Sequence, residues 1–392
     1  MKLAARMAHI EPFYVMECAK AAAELARSPA CANSPMIFLN IGEPDFTAPP
    51  AVQHAAEAAL RDGRTQYTDA TGLPELRERI ARWYGTRFGV NVDAARIVVT
   101  AGASAALQLA CLALIEQGDQ VLMPDPSYPC NRHFVAAADG TAVLLPTTSE
   151  QRFQLSRAAI EQAWNPRTRG VLLASPSNPT GTSIDPMEMR GIVEAVRGRG
   201  GFTIVDEIYL GLSYDARFGG SALAFGDDVI SINSFSKYFS MTGWRLGWMV
   251  VPQALVPQIE RLAQNLYICA STLAQRAALA CFEPESISEY EWRRDQFRER
   301  RDYIVPALQR LGLDVPVVPD GAFYAWADCS RYSPSSWDFV FDIMRRAHVA
   351  LTPGRDFGPH AAPRFVRLSF ASSMAQLRSA VARLEVALAQ TA

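Results

Sequence analysis

Lys237 is where the sequence first suggests chemistry. It lies in SINSFSKYFSMTGWRLG, Ser231 to Gly247, among hydroxyls and shortly before Arg245. The chain has 38 basic residues, yet only three are lysines: Lys2, Lys20 and Lys237. The rest are arginines, which stay charged under all ordinary conditions. A lysine amine titrates at about 10.4 when unperturbed and falls with burial or a nearby cation, so it can lose its proton and attack a carbonyl carbon. Lys2 and Lys20 fall in a peripheral N-terminal segment. Lys237 is therefore the candidate for Schiff-base chemistry.

Other residue types along the chain suit a phosphorylated ring. Gly102, Ala103 and Ser104 open a helix with small side chains, leaving backbone N–H groups and one hydroxyl to face an anion. Ser234, Ser236 and Arg245 can complete such a cradle, the arginine gripping two oxygens at once. Asp206 emerges from an apolar run, so its charge needs a partner. Tyr128 offers a flat face and Tyr209 a phenol. Asn178, in Asn178-Pro179-Thr180-Gly181, read alone marks only a turn.

These residues need elements to position them. Short β-rich runs, RIVVT, QVLMP, AVLLP, GVLLAS, FTIVDE, VISIN and LGWMVV, alternate with helical patterns such as SAALQLACLALIEQG between about residues 95 and 250. Continuous apolar strands alternating with helices predict an α/β fold, a mostly parallel seven-stranded sheet flanked by helices. Ligands in such sheets bind beyond the carboxyl ends of strands. Five of the runs lead into polar clusters there: AGAS, DPSYP, PSNPTG, EIY and SFSK. After CFEPESISE the pattern changes to a long charged helix, strand AFYAWA, helix SWDFVFDIMRRAH, strand RFVRLSFA and a closing helix. This predicts a smaller α+β domain built from both termini. The expected divisions are an N-terminal segment at 1–45, a large domain at 46–284 and a small domain at 285–392.

Phosphate, flat ring, positive ring atom and lysine together describe pyridoxal 5′-phosphate. The motifs SPSNPTG, VDEIY, SFSKYFSMTGWRLG and RFVRLSFA make the sequence resemble the class I/II aminotransferases of fold type I, the aspartate aminotransferase superfamily, from IGEPDF to the last helix. The resemblance implies a homodimer that moves amino groups between L-amino acids and 2-oxo acids. It implies that Lys237 carries the internal aldimine and shuttles the proton, and that Asp206 pairs with the pyridine nitrogen. Asn178 and Tyr209 would bond the ring oxygen, and Tyr128 would stack on the ring. Gly102, Ala103, Ser104, Ser234, Ser236 and Arg245 would form the phosphate site, with Tyr67 reaching the phosphate of the partner subunit. Arg367 would clamp the substrate α-carboxylate beside the Gly42 backbone. Alanine at position 103 departs from the glycine or serine of many relatives, which leaves that contact to its N–H.

The substrate side chain is expected to be neutral. No lysine or arginine occurs from Ile97 to Asn131, and the N-terminal segment that closes over substrate in the family offers Phe13, Tyr14 and Met16 as an apolar wall. Competing readings are an aspartate-type aminotransferase, a β-eliminating C–S lyase, and an S-x-x-K acyltransferase, for which no second lysine remains to build its K-T-G-like strand. A cofactor-sensing regulator would need a DNA-binding domain before IGEPDF. Net charge is −2, which gives no electrostatic case for nucleic acid or an anionic membrane. Seven cysteines without a C-x-x-C pair read as reduced thiols of a cytoplasmic protein, and five histidines without ligand spacing predict no metal.

Overall fold

The computed structural model describes residues 2–12 and 14–390. Seven strands form its central sheet: β1 (Ile97–Thr100), β2 (Gln120–Asp125), β3 (Thr141–Pro146), β4 (Thr168–Ala174), β5 (Phe202–Asp206), β6 (Val229–Ser234) and β7 (Gly247–Val250). Their spatial order is β1-β7-β6-β5-β4-β2-β3. All neighbours run parallel except β7, which is antiparallel to both β1 and β6. The seven apolar runs of the sequence are these strands.

Successive residues of a strand face opposite sides, and here both sides are covered. Val99, Leu122, Val171, Leu173 and Val205 belong to one core; Val98, Val121, Met123, Leu172, Ile204 and Met249 belong to the other. Helix Ala103–Leu114 packs on the second core, its alanines allowing close approach to the sheet.

Register brings the site together. Ala174 and Asp206 end β4 and β5 and lie beside Ile232, two residues before the end of β6. Because β7 runs the other way, its first residue, Gly247, pairs with Thr100 at the end of β1 and with Ser234 at the end of β6. Arg245, just before β7, thus arrives at the same edge as the strand ends.

The C-terminal part has a three-stranded antiparallel sheet of Thr352–Pro353, Phe365–Ser369 and Tyr324–Asp328, flanked by helices Pro284–Arg310, Ser336–Ala347 and Met374–Ala389. The N-terminal pair Ile37–Phe38 runs parallel to Val349–Ala350, so both ends of the chain meet there. Among the described residues, no helix is long and apolar enough to cross a membrane, and no group of three or more His, Cys, Asp or Glu is placed to hold a metal.

Candidate active site

A cavity of about 550 Å³ opens at the carboxyl ends of the strands. Of the residues singled out in the sequence, Gly42, Ala103, Ser104, Tyr128, Asn178, Asp206, Tyr209, Ser234, Ser236, Lys237, Arg245 and Arg367 all line it. Gly102 lies immediately behind, and Tyr67 stands apart at the surface, 78% exposed.

Lys237 sits on a loop anchored by Phe235 and Phe239, both fully buried against Trp248. Burying each ring stabilises the loop by about 1.5–3 kcal/mol. Lys237 Nζ donates to Gly42 O at 2.6 Å. Its pKa is lowered to about 8, chiefly by burial; Glu43 opposes the shift, and the charges of Arg367 and Arg245 add to it. Asp206 is buried and accepts one hydrogen bond, from Ile208 N at 3.1 Å. Burial raises its pKa to about 6, against the pull of that N–H and of Lys237. Its neighbour Glu207 serves another network. It accepts hydrogen bonds from Ser231 Oγ at 2.6 Å, Ser221 Oγ at 2.8 Å and Ala222 N at 2.6 Å, and burial raises its pKa to about 7.

The anion cradle is built from backbone. Gly102, at φ +82°, precedes the helix that starts at Ala103. A Cβ on Gly102 would lie 2.8 Å from Arg245 Nη2. Arg245 itself adopts left-handed φ 54°, ψ 54°, a conformation that strains a non-glycine residue, and donates to Thr242 O at 2.9 Å. Ser234 Oγ meets Ser236 Oγ at 2.9 Å.

Arg367, 4% exposed, is clamped on several sides. Its Nη1 donates to Asn178 Oδ1 at 2.9 Å and its Nη2 to Asn40 O at 2.7 Å, and its guanidinium lies 4.5 Å from the centre of the Tyr324 ring. Its Nε is buried without a partner. Asn178, with Oδ1 on Arg367, keeps its amide N–H groups as donors. The Tyr209 and Tyr324 hydroxyls meet at 2.7 Å.

Sequence reading missed Tyr324, Asn40 and Gly247. A methyl on Gly247 would lie 2.8 Å from Ala103 N, Asn233 O and Gly102 C. The glycine lets the helix start approach the sheet, and a glycine opening a strand beside an arginine was the available signal. Tyr14 needs a correction. It does not line the cavity; its ring stands edge-on to Trp337 at 6.1 Å and under the guanidinium of Arg355 at 4.1 Å. Residues two apart on a helix point about 200° apart, so Tyr14 and Met16 cannot both face inward. From this helix it is Val15, Met16 and Ala19 that line the cavity. Phe13 lies outside the described residues.

These features fit a phosphorylated pyridine. The buried Asp206 carboxylate lines the cavity without an ion pair among the described residues, and a protonated ring nitrogen would supply one. The glycine-backed helix start with Arg245 suits a phosphate, and the amine of Lys237 is depressed toward neutrality.

Comparison with known proteins agrees. The profile of the family Aminotransferase class I and II matches residues 34–384. The chain is 37% identical over 378 residues to valine–pyruvate aminotransferase of Mycobacterium tuberculosis, covering 96% of each chain. It is 32% identical to an aspartate aminotransferase of Geobacillus stearothermophilus, covering 98% of each. A crystal structure of an aminotransferase from Mycobacterium tuberculosis superposes with a TM-score of 0.95 at 37% identity, covering 100% of both chains. The aspartate aminotransferase of Thermus thermophilus with maleate gives 0.92 at 30% identity, covering 99% of this chain and 100% of that one. The chain belongs to the class I and II aminotransferases, of the aspartate aminotransferase superfamily. It is a transaminase, and its cofactor is pyridoxal 5′-phosphate.

Proposed function

We propose that the chain moves an amino group between a neutral L-amino acid, aliphatic or aromatic, and a 2-oxo acid, with Lys237 as the residue that holds the cofactor covalently. The charge inventory of the cavity carries the substrate reading. Among its described lining residues the cations are Lys237, Arg245 and Arg367. Each has a role at the cofactor or at the α-carboxylate. A second substrate carboxylate would leave water for the apolar side chains of Val15, Met16, Ala19 and Ile41 with no lining cation left to meet it, which is unfavourable. The valine–pyruvate aminotransferase relative, at 37% identity, supports this reading over the aspartate aminotransferases at 30–32%.

Bound pyridoxal phosphate supplies an electron sink for charge left at the substrate α-carbon. The chain's own residues do the rest. The N–H groups of Ala103 and Ser104, the hydroxyls of Ser104, Ser234 and Ser236, and Arg245 would hold the phosphate. Asp206 would keep a negative charge against the ring nitrogen. Asn178 and Tyr209 would donate to the ring oxygen, and Tyr128 would cover one ring face. Arg367 takes the α-carboxylate next to Gly42. The Lys237 amine, its pKa lowered to about 8, would be the group placed to accept the α-proton and return it. Tyr67 stands outside its own chain's cavity and well exposed, as suits a residue that completes the site of a partner subunit. The seven free thiols suit a cytoplasmic setting.

Two measurements test this. Borohydride reduction followed by digestion should place the phosphopyridoxyl label on Lys237 and nowhere else. With one fixed acceptor, alanine, leucine or phenylalanine should exceed aspartate in kcat/KM. Aspartate winning tenfold, about 1.4 kcal/mol of transition-state preference, would overturn the neutral-donor reading.

A further inference from the structure

The loop Gly354–Phe357 lies behind the substrate side of the cavity and contacts Val15 and Arg367, which line it. Asp356 is 1% exposed. Its Oδ1 accepts Tyr14 N at 2.9 Å and its Oδ2 accepts Val15 N, so one carboxylate caps the start of helix Tyr14–Ala26. Its main-chain oxygen accepts Arg132 Nη2 at 3.0 Å, tying the loop to the helix after Tyr128. The next residue, Phe357, is fully buried, packs with Val15 and Trp326, and lies 5.1 Å from the Arg367 guanidinium. Phe357 O also accepts Ser127 N at 2.7 Å.

We propose that Asp356 is the positioning residue that sets donor side-chain length, by fixing the Val15–Met16–Ala19 wall at a set distance from Arg367. The inference rests on the neutral-donor reading above. Arg367 fixes one end of the substrate, and the wall fixes the space for the other. Two residues of one loop, Asp356 and Phe357, hold both. No cation or hydroxyl side chain in the wall itself can hold it there, since Val15, Met16 and Ala19 are apolar. The two N–H groups capped by Asp356 are among those at a helix start that have no partner within the helix.

The test compares wild-type holoenzyme with Asp356→Ala and the gentler Asp356→Asn, which keeps one acceptor oxygen. A pocket discriminates one methylene by roughly 10–200-fold, so the kcat/KM ratio of leucine to alanine should change about tenfold in Asp356→Ala and less in Asp356→Asn. The change should reside in KM, with kcat for alanine and the cofactor absorbance spectrum retained. Limited trypsin cleavage after Lys20, which needs no substrate, should accelerate in the same order. An unchanged donor ratio in both variants would overturn the proposal, whether or not cleavage accelerates. If Asp356→Ala fails to fold, Asp356→Asn carries both readouts. A wild type that uses no neutral donor overturns the substrate reading, whereas a wild type that does, paired with variants indistinguishable from it, overturns only the role of Asp356.

Discussion

Gly247→Ala should cripple phosphate capture while leaving the fold intact. The added methyl would lie 2.8 Å from Ala103 N, Asn233 O and Gly102 C, whereas ordinary contact begins at 3.4 Å. The shortfall is roughly 0.6 Å against three backbone atoms, and overpacking of this kind costs about 1–3 kcal/mol. Asn233 lies within the paired strand β6, so the helix start at Gly102 and Ala103 must yield. Moving a donor by that distance removes most of a charge-assisted hydrogen bond, worth roughly 1.5–3 kcal/mol, or about a 10–100-fold loss of affinity. The assay is absorbance titration of the apoprotein with pyridoxal phosphate and, separately, with pyridoxal. The variant should lose affinity for the first by that factor and for the second hardly at all. Gly85→Ala, in helix Pro74–Phe88 with no atom within 4 Å of its added methyl, is the control and should bind both as wild type does. Equal losses for the two ligands, or none, would refute the argument that Gly247 acts through the phosphate end.

Two further outcomes follow from buried ionisable groups. With its pKa lowered to about 8, Lys237 in the apoprotein should be acylated with a midpoint near pH 8, leaving about a tenth of the amine free at pH 7; peptide mass spectrometry across pH 6–10 reads this, and a midpoint above 10 would contradict it. Glu207 has a folded pKa raised to about 7, so the stability it contributes is present below its unfolded value and is lost as pH rises through 7. Melting of the apoprotein should accordingly show Glu207→Gln gaining on wild type between pH 5 and pH 7.5, and a constant difference across that range would dismiss the assignment.

The sheet was legible because its strands are buried on both faces and read as unbroken apolar runs. Lys237, Asp206 and Asn178 were legible because strand-end residues in such a sheet converge whatever the loops do. The antiparallel course of β7 was not, since LGWMVV reads the same in either direction. Tyr324 and Asp356 escaped for a different reason. Tyr324 acts on Tyr209, 115 residues away, and Asp356 on Tyr14, 342 residues away, and no local pattern marks either pairing. Tyr14 was assigned to the wall because it lies in the N-terminal segment that closes over substrate in the family, whereas helical rotation puts its neighbours Val15 and Met16 on the cavity side.

The placement of β7 also governs when the site comes into being during synthesis. β1 is an edge strand whose sole neighbour in the sheet is β7, the last of the seven to leave the ribosome. Until β7 inserts between β1 and β6, the glycine turn and helix start carried by β1 have nothing to hold them beside Ser234. The substrate end waits longer still, because Arg367, which meets Asn40 across 327 residues, follows β7 in the chain. Loop closure over such spans is slow and comes late. A nascent chain therefore exposes an unpaired β1 edge without any competent aldehyde trap. The burial that chiefly lowers the Lys237 amine, and the added charge of Arg367, arise only with these late contacts, so the amine keeps its ordinary protonation until the site is assembled.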